Sequence, residues 1–186
     1  MRAHRGRALV LGFIRALLVV ASVAVCPLQV QSSPSQGHPS AQAVYLEAEG
    51  KTLASLINEE RQAHSLRPLA LDDTLCEIAR DHAIDMIQTG YFGHTSPEGV
   101  TLSSRLRQAG MPFEKAGENL AGNTSVIDAH AMLMQSPAHR GNILSAEFKS
   151  MGVAVVSGGP YGLMIVEVFV TESQVSPAPT PAAGTP

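Results

Sequence analysis

A chain of 186 residues with 45% apolar and 16% charged side chains has room for one domain with a real core, plus flanking segments. Aromatic content of only 4%, without Trp, argues against a carbohydrate-binding or base-stacking surface, both of which need exposed rings. Four of the 13 basic residues and none of the 16 acidic ones precede residue 33, so the remainder carries 9 against 16, a net of −7, and makes a poor partner for nucleic acid.

Residues 1–32 read as an export signal. Arg2, His4, Arg5 and Arg7 form a basic start, and an apolar stretch follows, interrupted by Arg15 and continuing from Ala16 to Val25. The uninterrupted part falls short of the roughly 20 residues a bilayer requires. Cleavage near Ser32 or Ser33 would leave no stable transmembrane span and a secreted protein, extracellular or in the cell envelope; an uncleaved anchor is the rival reading. Val25 directly before Cys26 fits lipid attachment poorly. With Cys26 in the leader, Cys76 is the lone thiol of the mature domain, which must be held by packing without an internal disulfide.

Residues 33–42 (SPSQGHPSAQ) read as a linker and residues 171–186 as a disordered Pro-rich tail, which places the domain at about 43–170. Residues 44–64 are expected to be helical, with Leu53, Leu56 and Ile57 on one stripe. After Pro68, Thr74-Leu75-Cys76-Glu77 resembles a capping box opening a second helix, whose Leu75, Ala79, His82 and Met86 share a face and whose stop is Gly90. Cys76 in that helix suits a small buried role better than a nucleophilic one. A short helix is expected from Leu102 to Ala109 and another from a Ser125 cap to Gln135, with a strand between Phe113 and Ala121. Met132-Leu133-Met134 reads as core packing. Met151–Ser157 and Tyr161–Val170, separated by Gly158-Gly159-Pro160, read as a hairpin in which Glu167 must point outward or find a partner. Helices first and a hairpin last favour a layered α+β domain.

Three segments place titratable side chains beside Gly or Pro, where a rigid core presents them from loops. They are Gly93-His94-Thr95-Ser96-Pro97, Gly117-Glu118-Asn119-Leu120 and Ser136-Pro137-Ala138-His139-Arg140-Gly141-Asn142-Ile143-Leu144. No HExxH, GxSxG, P-loop or paired-cysteine motif is present. Two imidazoles and a carboxylate suit an open His₂Glu metal site, an acid–base pair in which Glu118 fixes a tautomer, or a self-satisfied polar network. His82 reads as a satisfied core histidine, and Asn119 and Asn142 as loop-stabilising amides. Ser96 and Ser136 lie near cleft histidines but on no nucleophile elbow.

The order GYFGHTSPEG, AGENLAG, SPAHRGNIL and MGVAVV, after the opening LINEERQAHSLRPLALDDTL, resembles the bacterial branch of the CAP superfamily (cysteine-rich secretory proteins, antigen 5, pathogenesis-related proteins; the SCP-like extracellular domain). The similarity covers roughly residues 53–170. It implies a three-layer α-β-α sandwich with a central antiparallel sheet, an extracellular setting, and a cleft tetrad of two His and two Glu. His94 matches the first His, Glu118 the first Glu and His139 the second His. The second Glu would fall near Ser136, so the tetrad is incomplete. The Trp common in the fourth helix is replaced near Leu133, and the disulfides of eukaryotic relatives are absent.

The resemblance leaves the activity open, since a fold hosts many functions. The expected function is a secreted monomeric module, not an enzyme, whose His94/Glu118/His139 cleft binds a divalent metal such as Zn²⁺ or a small ligand. A metal- or histidine-dependent hydrolase and a lipid- or partner-binding module are the alternatives.

Overall fold

The structure is a computed structural model that describes residues 42–173. The expected export signal, nearly all of the expected linker and most of the expected tail lie outside the described residues. No helix among the described residues is long and apolar enough to cross a membrane.

Strand β1 (Val44–Tyr45) leads into α1 (Glu47–Ala63), β2 (Ala70–Leu71), α2 (Asp73–Thr89), α3 (Leu102–Gln108), β3 (Phe113–Asn123), α4 (Val126–Gln135), α5 (Pro137–Ile143), β4 (Ser150–Gly159) and β5 (Gly162–Glu172). The sheet runs β1-β4-β5-β3, antiparallel throughout this path, and β2 adds a two-residue parallel bridge to the outer side of β4. β5 is thus central and β3 an edge.

The pleat sends alternate side chains to opposite faces, and each face has its own helical cover. Met151, Val153, Val155, Ile165 and Phe169 pack with Leu53, Ile57, Ala129 and Leu133 of α1 and α4 and with Ile143 of α5. Ala154, Val156, Met164, Val166 and Val168 pack with Leu75, Ala79 and Met86 of α2 and Leu106 of α3. The result is the expected α-β-α sandwich. β5 is buried on both faces from Met164 to Val170, which explains a run that is apolar except for Glu167.

Local signals set most boundaries. Gly90 ends α2 at φ 75°, a left-handed position that favours glycine. Ser125 caps α4, its hydroxyl accepting from Asp128 N–H at 3.4 Å. Four details differ from the sequence expectations. Val44 and Tyr45 are strand, not helix: they pair with Ser157 and Val156 of β4, and the Leu46 N–H donates to the Val155 carbonyl. The cap of α2 is Asp72, whose carboxylate accepts from Leu75 N–H at 2.8 Å. Met132 is exposed, and only Leu133 of that trio is fully buried. Segment 137–143, expected to be a loop or an element end, is a helix of its own. Pro137 occupies its first turn, where a missing N–H costs nothing.

α5 is fixed at its far end by Arg61, which is 1% exposed. Its Nη1 donates to the carbonyls of Ile143 (2.7 Å) and Ser145 (2.8 Å), and its Nε to that of Arg67 (3.0 Å). A cation at a helix C-terminus meets both the free carbonyls and the negative end of the dipole.

Candidate functional site

Glu118 lies on edge strand β3 with its side chain only 3% exposed. By the pleat it belongs to the α2/α3 face, and its partners come from there. Oε1 accepts from His94 Nδ1 at 2.9 Å and Oε2 from Arg105 Nη2 of α3 at 2.5 Å. His82 of α2 stands behind, its Nε2 3.8 Å from Oε1. Both carboxylate oxygens are therefore engaged.

His94 sits on the loop after α2 with its side chain 59% exposed. Because Glu118 accepts at Nδ1, the proton sits there in the neutral ring and the Nε2 lone pair is free. His139 enters from the opposite layer, on the first turn of α5, and is half-buried. Its pKa is lowered, first by burial and then by the nearby charge of His94. The structure thus brings His94 onto Glu118 directly, and Asn119 of the same strand onto the main-chain carbonyl of His139.

His82 is 2% exposed and its pKa is pushed down to about 4, by burial first and then by Arg105. Its Nδ1 meets the Tyr91 hydroxyl at 3.3 Å, and that hydroxyl donates to Asp85 at 2.6 Å. It is a core histidine as expected, yet its Nε2 has no hydrogen-bond partner and faces Glu118. Of the nearby hydroxyls, Ser96 donates to Glu98 at 2.9 Å and organises its own turn. Cys76 is half-buried, its sulfur accepts from Val153 N–H at 3.4 Å, and burial pushes its thiol pKa up.

Arg105 was missed by the sequence reading. Its signal was available: Leu102, Arg105 and Leu106 share one helical face, so a cation sits in an apolar stripe and needs a buried carboxylate. The partnership of Asn119 with Glu167 had no local signal.

Among the described residues, no group of three or more His, Cys, Asp or Glu side chains is arranged to hold a metal ion. The donor set fits a cation only through imidazole nitrogens, with Glu118 behind His94. That is the familiar role of a carboxylate orienting a ligating histidine.

Comparison with known proteins supplies the frame. The sequence profile described as "CAP: Cysteine-rich secretory protein family" matches residues 54–171. The uncharacterized protein YkwD of Bacillus subtilis is 36% identical over 110 residues, 59% of this chain and 43% of that protein. The uncharacterized membrane protein YlbC of the same species is 33% identical over 108 residues, 56% of this chain and 31% of that protein. The chain thus spans less than half the length of either relative.

Among solved structures, an extracellular protein containing an SCP domain from Bacillus anthracis superposes with a TM-score of 0.62 at 31% identity, covering 68% of this chain and 41% of that one. An outer surface protein of Borrelia burgdorferi superposes with a TM-score of 0.66 at 22% identity, covering 71% of this chain and all of that one, and so speaks for the fold alone. Four ordered motifs, a three-layer sandwich and a profile match over most of the described residues agree: the chain belongs to the CAP (cysteine-rich secretory protein) family.

Proposed function

We propose that this chain is a secreted CAP module whose cleft takes up a divalent cation such as Zn²⁺ through the imidazoles of His94 and His139. Glu118 holds the His94 tautomer from behind and does not itself ligate. The observation that carries this reading is the 2.9 Å contact between His94 Nδ1 and Glu118, which leaves Nε2 of a half-exposed ring free. His139, with its lowered pKa, keeps a lone pair available to lower pH than an ordinary imidazole. Imidazole nitrogens suit Zn²⁺, and positions not filled by protein remain open to water or a small anionic ligand.

A calorimetric Zn²⁺ titration of the full chain tests it, alongside His94→Ala/His139→Ala. Saturable one-to-one binding lost in the double variant is expected, with affinity falling on acidification as protons compete with the cation for the ligating nitrogens. Equal binding by both proteins, or binding unchanged at pH 5, contradicts the reading.

A further inference from the structure

Glu118 and Asn119 are consecutive on β3, so the pleat commits them to opposite layers. Glu118 takes the α2/α3 side, and Asn119, fully buried, takes the α5 side. Asn119 Nδ2 donates to the main-chain carbonyl of His139 at 3.1 Å and to Glu167 Oε2 at 2.8 Å. Its Oδ1 accepts from Asn142 Nδ2 at 2.8 Å, and that amide nitrogen also lies 3.3 Å from the Glu118 carbonyl. One side chain therefore ties together the backbone that carries His139, the helix beyond it, and the strand that carries Glu118.

The glycine before the pair belongs to the same device. A Cβ at Gly117 would come within 2.9 Å of Asn142 Oδ1 and 3.0 Å of Phe148 Cζ, so a side chain there would crowd the Asn142 amide. Glu167, directly opposite Asn119 on central strand β5, is fully buried. Its Oε1 has no partner, and its one hydrogen bond is the contact with Asn119. A core position needing only volume would be filled by an apolar side chain, because an incompletely paired polar group destabilises the fold. What the carboxyl contributes is the orientation of the Asn119 amide.

We propose that Asn119, clamped by Glu167 and Asn142, is the positioning residue of the cleft and fixes where the His139 imidazole stands relative to the Glu118–His94 pair. The proposal rests on the reading that two imidazoles share a cation. Its test uses the full chain with Glu167→Leu, which removes the clamp while suiting an apolar core, Glu167→Gln, which preserves an acceptor for Asn119, and Asn119→Ala.

Calorimetry with Zn²⁺ is expected to show affinity about tenfold weaker in Glu167→Leu and Asn119→Ala, and within about twofold of wild type in Glu167→Gln. Glu167→Leu should keep its cooperative melt, so that binding is lost without stability; if Asn119→Ala does not fold, Glu167→Leu decides alone. Wild-type affinity in Glu167→Leu overturns the proposal, as does a loss in Glu167→Gln equal to that in Glu167→Leu. The ring shifts of His139 in metal-free protein, read by NMR, separate this from failure of the cation reading. If wild type binds no Zn²⁺, His139 shifts moved in Glu167→Leu and restored in Glu167→Gln still support positioning, and unmoved shifts overturn it.

Discussion

At the scale of single residues, Glu118 divides its two oxygens between different tasks. Oε2 neutralises Arg105 inside the α2/α3 layer, and Oε1 orients His94 at the surface. Glu118→Gln keeps the volume but offers one amide where two acceptors are needed, so the His94 tautomer is no longer enforced. Zn²⁺ affinity is expected to fall about 10- to 100-fold, measured by competition with a chromophoric chelator. An unchanged affinity would show that the tautomer is set elsewhere. His94, Glu118 and His139 could be singled out because each lies within two residues of a Gly or Pro, in motifs that follow the family's order. Of the surrounding contacts, Arg105 left a signal in its apolar stripe, whereas His82–Glu118 and Asn119–Glu167 join segments far apart in the sequence and exist only once the layers have assembled.

At the scale of elements, the approach of α2 to the sheet is set by one missing methyl. A Cβ at Gly152 would lie 2.1 Å from the Leu75 carbonyl carbon and 2.4 Å from Cys76 N, both backbone atoms at the start of α2. Neither can yield without moving the helix. Gly152→Ala is therefore expected to destabilise the domain by about 3 kcal/mol or more, read by chemical denaturation. A loss below about 0.5 kcal/mol, within the range of ordinary surface changes, would contradict the close packing. Boundaries fixed by neighbouring residues, such as Gly90 and Ser125, could be read from the sequence. α5 could not, because Pro137 signals a break and a first helical turn equally well. Nor could β1, whose pairing with β4 links residues more than 100 positions apart.

At the scale of the whole molecule, two buried groups on opposite faces of the sheet titrate against each other. Burial pushes the Glu167 carboxyl up to about 7, and the stability it contributes below its unfolded value of 4.5 is lost as pH rises towards 7. Burial and Arg105 push His82 down to about 4, and the stability it contributes above 6.5 is lost as pH falls towards 4. His130 and His139, also lowered by burial, act in the same direction as His82. Between pH 4.5 and 6.5 Glu167 offsets part of that acid sensitivity. Glu167→Gln removes the offset, so stability across this window should fall more steeply on acidification than in wild type, by about 1.4 kcal/mol per pH unit. Parallel pH profiles of urea unfolding for the two proteins would contradict it.

The same three-layer arrangement brings His94 from the α2/α3 side and His139 from the α5 side to one strand edge. A crystal of the full chain grown with Zn²⁺, with anomalous diffraction collected at the zinc edge, tests that convergence most directly. The account predicts a single peak about 2.0–2.1 Å from His94 Nε2 and from a His139 ring nitrogen, with Glu118 still bound to Arg105. Zinc ligated by Glu118 with Arg105 displaced, or zinc found only away from these imidazoles, would contradict it.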